Sequence, residues 1–183
     1  MCFEFATSAT LAVLRIRSNP ARYDPPVARL APQQLEVYFA LMEAASLLQY
    51  AVEQQLRDDG PLSWVQFQVL AGLALGPRPS ERMTDIADRV VHSRSGLTYQ
   101  AGVLEKRGLV TRSPDPVDDR GTVVTITDAG RALVDQVLPG HEDVVQGALL
   151  DHLDPDDTGR LTGLLQDLRD RMRARPPRSA RRR

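Results

Sequence analysis

Apolar side chains recur every three or four residues over much of the chain, which is the pattern of amphipathic α-helices. The first such stretch is predicted to be a helix from Gln33 to Leu56, with an apolar stripe along it and a second apolar side on its N-terminal half. A well-buried core helix and a helix with one side against a partner subunit both explain this pattern. The stripe is Leu41, Ala45, Leu48, Val52 and Leu56, and the second side is Leu35, Tyr38, Phe39 and Met42.

A second helix is predicted after an Asp-Asp-Gly-Pro break. Ser63 is its expected N-cap, and Trp64, Phe67, Leu70 and Leu75 recur along it at helical spacing. A lone tryptophan in such a helix either belongs to the core or lines a pocket for an aromatic effector. From the pattern alone, both interpretations of Trp64 and Phe67 stay open.

Two short helices joined by a tight turn are predicted next. The first, Asp85–Val91, would pack across the second and support it. The second has Ser93 as its N-cap and ends before Gly108, where a left-handed residue is expected. Its inward residues are Leu97, Ala101 and Leu104, and its outward residues are Ser95, Thr98, Tyr99, Gly102 and Lys106.

Two β-prone runs, Leu109–Arg112 and Thr122–Ile126, follow this pair of helices. Between them lies SPDPVDDRG, whose prolines and glycine predict a long turn. We therefore predict a two-stranded hairpin, with residues 76–80 as a linker ahead of the helix pair. Two such helices followed by a hairpin make a winged helix-turn-helix.

Two further helical stretches complete the pattern. The helix that opens after Thr127 is interrupted by Pro139 and Gly140, which predicts either two segments or one kinked helix. The last helix is predicted to be capped by Asp154 and to carry one clean apolar stripe, which suits a dimer interface. That stripe is Leu161, Leu164, Leu165, Leu168 and Met172.

The segments SRSGLTYQAGVLEKRGLVTR and DPVDDRGTVVTITDAG resemble the MarR family of bacterial transcription regulators, over roughly Gln33–Met172. The resemblance implies a triangular homodimer with the winged parts at its lower corners, and an effector pocket between the dimerisation helices and the winged part. It also implies that Arg120 in the wing reaches the minor groove and that Asp118 holds Arg120 in place. The chain departs from the family at Tyr99 and Asp119, where a basic residue is common.

The predicted fold is mainly α-helical with a small β-wing, a winged helix-turn-helix with N- and C-terminal dimerisation helices. We expect residues 1–31 to be a disordered extension, 32–175 the winged-helix domain, and 176–183 a disordered arginine-rich tail. Within the domain, the dimerisation helices are expected at about 33–57 and 128–173, and the DNA-binding part at about 62–127.

Charge limits how DNA binding can work in this chain. The formal net charge is −1, and nine basic residues face eight acidic ones between Arg78 and Arg131. Affinity must therefore depend on where the charges lie, and modest nonspecific binding is expected. No uninterrupted run approaches the roughly 18 apolar residues of a membrane span, so we expect a cytoplasmic protein without membrane contact.

Catalysis and metal binding find little support. His92 beside Ser93 is the nearest approach to a catalytic pair, but Ser93 already has a role as a cap. The three histidines are scattered, and the single cysteine, Cys2, excludes a disulfide within one chain and a cysteine-only zinc site. We expect no enzyme activity, no metal and no cofactor.

Two functional classes remain. The first is a homodimeric, sequence-specific DNA-binding regulator, in our interpretation a ligand-responsive repressor on a pseudo-palindromic operator. The alternative is a winged-helix module that binds protein rather than DNA. The expected DNA contacts are Ser93, Arg94, Ser95, Thr98, Tyr99, Lys106, Arg112 and Arg120, and the expected dimer contacts are Leu35, Tyr38, Leu161, Leu165 and Leu168.

Overall fold

A computed structural model describes residues 30–116, 118 and 121–174. All eight helices and strands that were expected from the sequence are present, and the structure has an additional short strand. The elements are α1 (Pro32–Asp59), α2 (Trp64–Leu75), β1 (Ser80–Arg82), α3 (Met83–Arg89), α4 (Arg94–Lys106), β2 (Val110–Pro114), β3 (Thr122–Ile126), α5 (Asp128–Ala148), a 3₁₀ turn (Leu150–His152) and α6 (Pro155–Arg173).

The core lies where α2 packs against α4, α5 and the sheet. Ser63 starts α2 with a capping box, in which its hydroxyl accepts from the Gln66 N–H and the Gln66 side chain accepts from the Ser63 N–H. The C-terminal half of α1 contributes Val52 and Leu56 to this core. The largest fully buried side chains are Leu56, Leu62, Leu70, Leu73, Ile86, Leu97 and Leu104.

The sheet has three strands in the order β1-β3-β2, and both pairings are antiparallel. The prediction of a two-stranded hairpin was therefore incomplete. Residues 76–80 are not only a linker, because Ser80 opens β1 and pairs with Thr125. A strand of three residues with two charged side chains has too few apolar positions to show alternation, which is why the pattern missed it.

Helix α5 runs without a break from Asp128 to Ala148, with Pro139 inside it. The prediction of two separate segments was wrong, and the single-helix alternative holds. Proline removes one backbone donor from the helix, but apolar residues on both sides of it still pack on the core, including the buried Val134 and Val137 and the half-buried Val144. Tertiary packing therefore offsets the local disruption.

The described residues before Glu43 form a unit of their own and are helical from Pro32. Large apolar side chains are exposed on this part of α1, among them Val37, Tyr38, Phe39 and Met42. By length and composition alone, α1 is sufficient to cross a membrane, since an 18-residue window has a mean hydropathy of 1.2. This property was not predicted from the sequence, because the apolar residues of α1 do not form one uninterrupted run. Residues 1–29 of the expected extension 1–31, and the whole of the expected tail 176–183, lie outside the described residues.

Candidate nucleic-acid interface

Helix α4 presents a polar face to solvent and an apolar face to the core. Leu97, Ala101 and Leu104 have no exposed surface. On the other side Tyr99 keeps 70% of its surface, and Ser95, Thr98 and Lys106 are also exposed. The structure therefore places the outward residues as the periodicity predicted, except that Gly102 is half-buried.

The N-terminus of α4 is closely packed. The Ser93 hydroxyl accepts from the Gly96 N–H at 3.2 Å, and the Thr98 hydroxyl donates to the Arg94 carbonyl at 2.8 Å. A Cβ atom on Gly96 would stand 2.6 Å from His92 Nε2, so this position accepts only glycine without a shift of that ring. Ser93 therefore shapes the start of the helix, and its neighbour Arg94 is exposed beside it.

The supporting helix α3 is held by an arginine that the sequence analysis did not single out. The Arg89 guanidinium donates to Glu81 Oε2 at 2.8 Å and to the Gln68 carbonyl at 3.0 Å, and so joins α3 to β1 and α2. Gly72 makes room for it, since a Cβ atom there would lie 2.1 Å from Arg89 Nη1. No spacing rule connects positions 68, 81 and 89, so only the structure shows this contact.

The base of the wing is held by a second unforeseen residue, Asp115. Its side chain is almost fully buried and forms an ion pair with Arg82 in β1, with a further hydrogen bond of 3.3 Å. The Asp115 N–H donates to the Gly121 carbonyl at 3.0 Å, and the Gly121 N–H donates to the Asp118 carbonyl at 2.7 Å. Asp118 thus helps to form the turn. Arg120, the predicted minor-groove residue, lies outside the described residues, as does Asp119.

Ion pairs engage three of the eight basic residues that the structure describes between Arg78 and Arg131. One of them is Arg112, a predicted DNA contact, whose Nε donates to Glu105 Oε2 at 2.9 Å. This hydrogen bond lowers the pKa of the Glu105 carboxyl. Within the described ranges, neither Arg94 nor Lys106 takes part in an ion pair. The uncompensated positive charge of α4 is therefore at its two ends.

The two aromatic residues considered for an effector pocket pack together. Trp64 stacks on Phe67 with 6.1 Å between ring centroids, and the His141 ring lies 4.6 Å from that of Phe67. Phe67 is buried in the core and Trp64 is half-buried against it. Burial lowers the pKa of His141, against a smaller opposite effect of Glu142. Of the two interpretations that the sequence left open, the structure shows both rings packed in or against the core. An effector pocket lined by them stays a prediction.

The residues predicted to dimerise are largely exposed. In α1, Tyr38 is exposed and Leu35 half-buried. In α6 no residue is buried: Leu165 and Leu168 are exposed, and Leu161 is half-buried. In the part of the chain that the structure describes, no group of three His, Cys, Asp or Glu side chains is placed to hold a metal ion.

Comparisons with known proteins agree with this geometry. The sequence model of the MarR family matches residues 61–121. Sco3205, a MarR family transcriptional regulator from Streptomyces coelicolor whose crystal structure is in complex with DNA, is 32% identical in sequence to this chain. The two structures superpose with a TM-score of 0.73, over 81% of this chain and 92% of the Sco3205 chain.

Two other relatives are more distant. BpsR from Bordetella bronchiseptica, a protein whose DNA binding is regulated by 6-hydroxynicotinic acid, is 27% identical in sequence to this chain. The TM-score is 0.65, over 73% of this chain and 93% of the BpsR chain. The uncharacterized HTH-type regulator YkoM of Bacillus subtilis is 29% identical over 89 residues, 49% of this chain. The chain thus spans 57% of the length of YkoM.

Proposed function

Because the chain belongs to the MarR family of transcription regulators, we propose that it is a homodimeric repressor that binds a pseudo-palindromic operator in the cytoplasm and responds to a small ligand. The observation that carries the DNA-binding part of this proposal is the face of α4. Thr98 and Tyr99 are exposed there in the first two turns, and the buried Leu97 fixes the helix on the core. The N-terminal turns of a recognition helix are those that reach base edges in the major groove.

Each contact has an expected role. Thr98 and Tyr99 would read bases, since a methyl group, a ring and a hydroxyl suit thymine methyls and base-edge acceptors. Arg94 and Lys106 would bind phosphates at the two ends of α4, and Ser93 and Ser95 would add polar contacts to the backbone. Arg120 on the wing would reach the flanking minor groove. Arg112 contributes less in this proposal, because Glu105 already neutralises it.

The dimer is proposed from exposed apolar surface. Leu164 keeps 70% of its surface, and Leu165, Leu168 and Met172 are also exposed along α6. The N-terminal half of α1 separately exposes Tyr38 and Phe39. Contiguous apolar surface of this kind on a regulator is typical of a subunit interface, and it accounts for the apolar composition of α1 without a membrane.

The test is selection of bound DNA from a random pool with the purified chain, followed by affinity measurements at several salt concentrations. We expect a palindromic consensus and a steep fall of affinity with salt, with a slope of about −0.9 per neutralised phosphate. Tyr99→Ala should change base preference at one position by about 1 to 3 kcal/mol. Arg94→Ala should weaken all sequences and lower the salt slope by about one unit. Arg160→Ala, which removes a cation from α6, is the matched control and should change neither.

Two results would contradict the proposal. Recovery of no consensus, together with salt-independent binding, favours the protein-binding module instead. A consensus that neither Tyr99→Ala nor Thr98→Ala alters removes the exposed face of α4 from base recognition. For ligand response, BpsR points to small aromatic acids as the first probes; at saturating concentration, an effective one should release the DNA.

A further inference from the structure

The two helices of the helix-turn-helix end in the same backbone motif with different residues. At the end of α4, Gly108 has φ +72°, and the Leu109 N–H donates to the Leu104 carbonyl at 3.0 Å. At the end of α3, Val91 has φ +52°, and the His92 N–H donates to the Ala87 carbonyl at 3.0 Å. Both are Schellman motifs with a left-handed residue at C′, a position that is usually glycine.

Valine is among the least suitable residues for this position. Its branched Cβ crowds the backbone in the left-handed region, where glycine suffers no such clash. Packing does not compensate for this, because the Val91 side chain is 82% exposed. Among the described residues other than glycine, Val91 alone has a positive φ. Unfavourable backbone conformations that the fold retains are concentrated at functional sites.

The position of Val91 indicates what its side chain meets. It stands two residues before Ser93, the cap of α4, in the turn between the supporting helix and the proposed recognition helix. In a helix-turn-helix the first helix crosses the DNA backbone and the second lies in the major groove, so the turn between α3 and α4 would lie beside the backbone at the edge of that groove. On the basis of the proposed function, we infer that Val91 is a DNA contact whose isopropyl group packs on a deoxyribose of the flanking strand.

This assignment makes two properties change in opposite directions. Glycine at 91 relieves the backbone and stabilises the free protein, but it removes the apolar contact and weakens the complex. Deoxyribose is the same in every nucleotide, so the loss should not depend on base sequence. It should also leave the salt dependence of binding unchanged, because no charge is removed.

The experiment compares Val91→Gly and Val91→Ile with the wild type at one protein concentration. We expect Val91→Gly to raise Tm by about 2 to 4 °C and to weaken binding about fivefold per subunit, for the selected site and its single-base variants alike. Val91→Ile keeps the branched, apolar side chain and should bind as the wild type does. Gly108→Val is the reverse substitution and should lower Tm, which measures the unfavourable effect of valine in the same motif.

The outcomes separate this inference from the proposed function. If the wild type binds its selected site and Tyr99→Ala alters base preference, but Val91→Gly binds as tightly as the wild type, only the assignment of Val91 is overturned. The same holds if Val91→Gly lowers Tm, since valine is then not the unfavourable residue. If the wild type binds no DNA, both proposals are wrong.

Discussion

Gly72→Ala should destabilise this protein, although alanine is normally the better residue inside a helix. Position 72 lies within α2, and the three heavy atoms nearest to a Cβ atom there all belong to the Arg89 guanidinium, the closest at 2.1 Å. An alanine must therefore displace the guanidinium from Glu81 and from the Gln68 carbonyl. If Arg89 is truncated first, these three atoms are absent, and the methyl group of the alanine no longer clashes with them.

The magnitude follows from these contacts. Replacing a glycine inside a helix with alanine gains about 1 kcal/mol. Against this, the Arg89–Glu81 pair is about one-third exposed, so its loss costs on the order of 1 kcal/mol. Leaving the Gln68 carbonyl without this donor costs about 1 to 2 kcal/mol more. We expect Gly72→Ala to destabilise the wild type by about 1 to 2 kcal/mol and to stabilise Arg89→Ala by about 1 kcal/mol.

The assay is urea unfolding of the wild type, both single variants and the double variant at one protein concentration, because subunit association adds to stability. Gly102→Ala in α4 is the matched control, since a Cβ atom there meets nothing within 4 Å. It should stabilise both backgrounds equally. If Gly72→Ala also stabilises the wild type, with no coupling to Arg89, then Arg89 does not hold α3 against α2.

Three further predictions concern assembly, operator geometry and pH. Leu165→Asp puts a charge into the exposed stripe of α6, so in sedimentation at micromolar concentration it should dissociate or unfold, unlike Gln166→Asp outside the stripe; a wild type that is already a folded monomer would refute this. Five base pairs inserted at the operator centre should abolish tight binding, because they turn one half-site to the far side of the duplex, about half a helical turn; unchanged affinity at fixed salt would exclude symmetric binding. Burial lowers the pKa of His141 in the folded chain, so the unfolded chain binds its proton first, and stability should fall as pH drops through the ordinary value of 6.5. His141→Asn should remove that part of the pH dependence in urea titrations, and an identical dependence in both proteins would assign it to other groups.

Helical periodicity and capping residues predicted most of the fold because they are local. Ser93, Gly108 and Thr127 stand at helix ends in the structure as their chemistry requires. The missed contacts are those between distant positions, such as Arg82 with Asp115, which no periodicity connects. These contacts also change the interpretation of the site. Arg82, Arg89 and Arg112 add to the positive charge of the DNA-binding part in the sequence, but in the structure each forms an ion pair within the fold.

The hydroxyl group of Thr127 connects the start of α5 with the end of α4. It accepts from the Gly130 N–H at 3.1 Å, at the start of α5, and donates to the Gly108 carbonyl at 2.7 Å, directly after α4. Glycine at 130 lets α5 approach this backbone closely, since a Cβ atom there would stand 2.2 Å from the Leu109 carbonyl oxygen. The two helices therefore meet without a flexible spacer. If a ligand reoriented α5, the proposed ligand response would reach the C-terminal end of α4 through this contact, without the ligand touching the DNA-binding part.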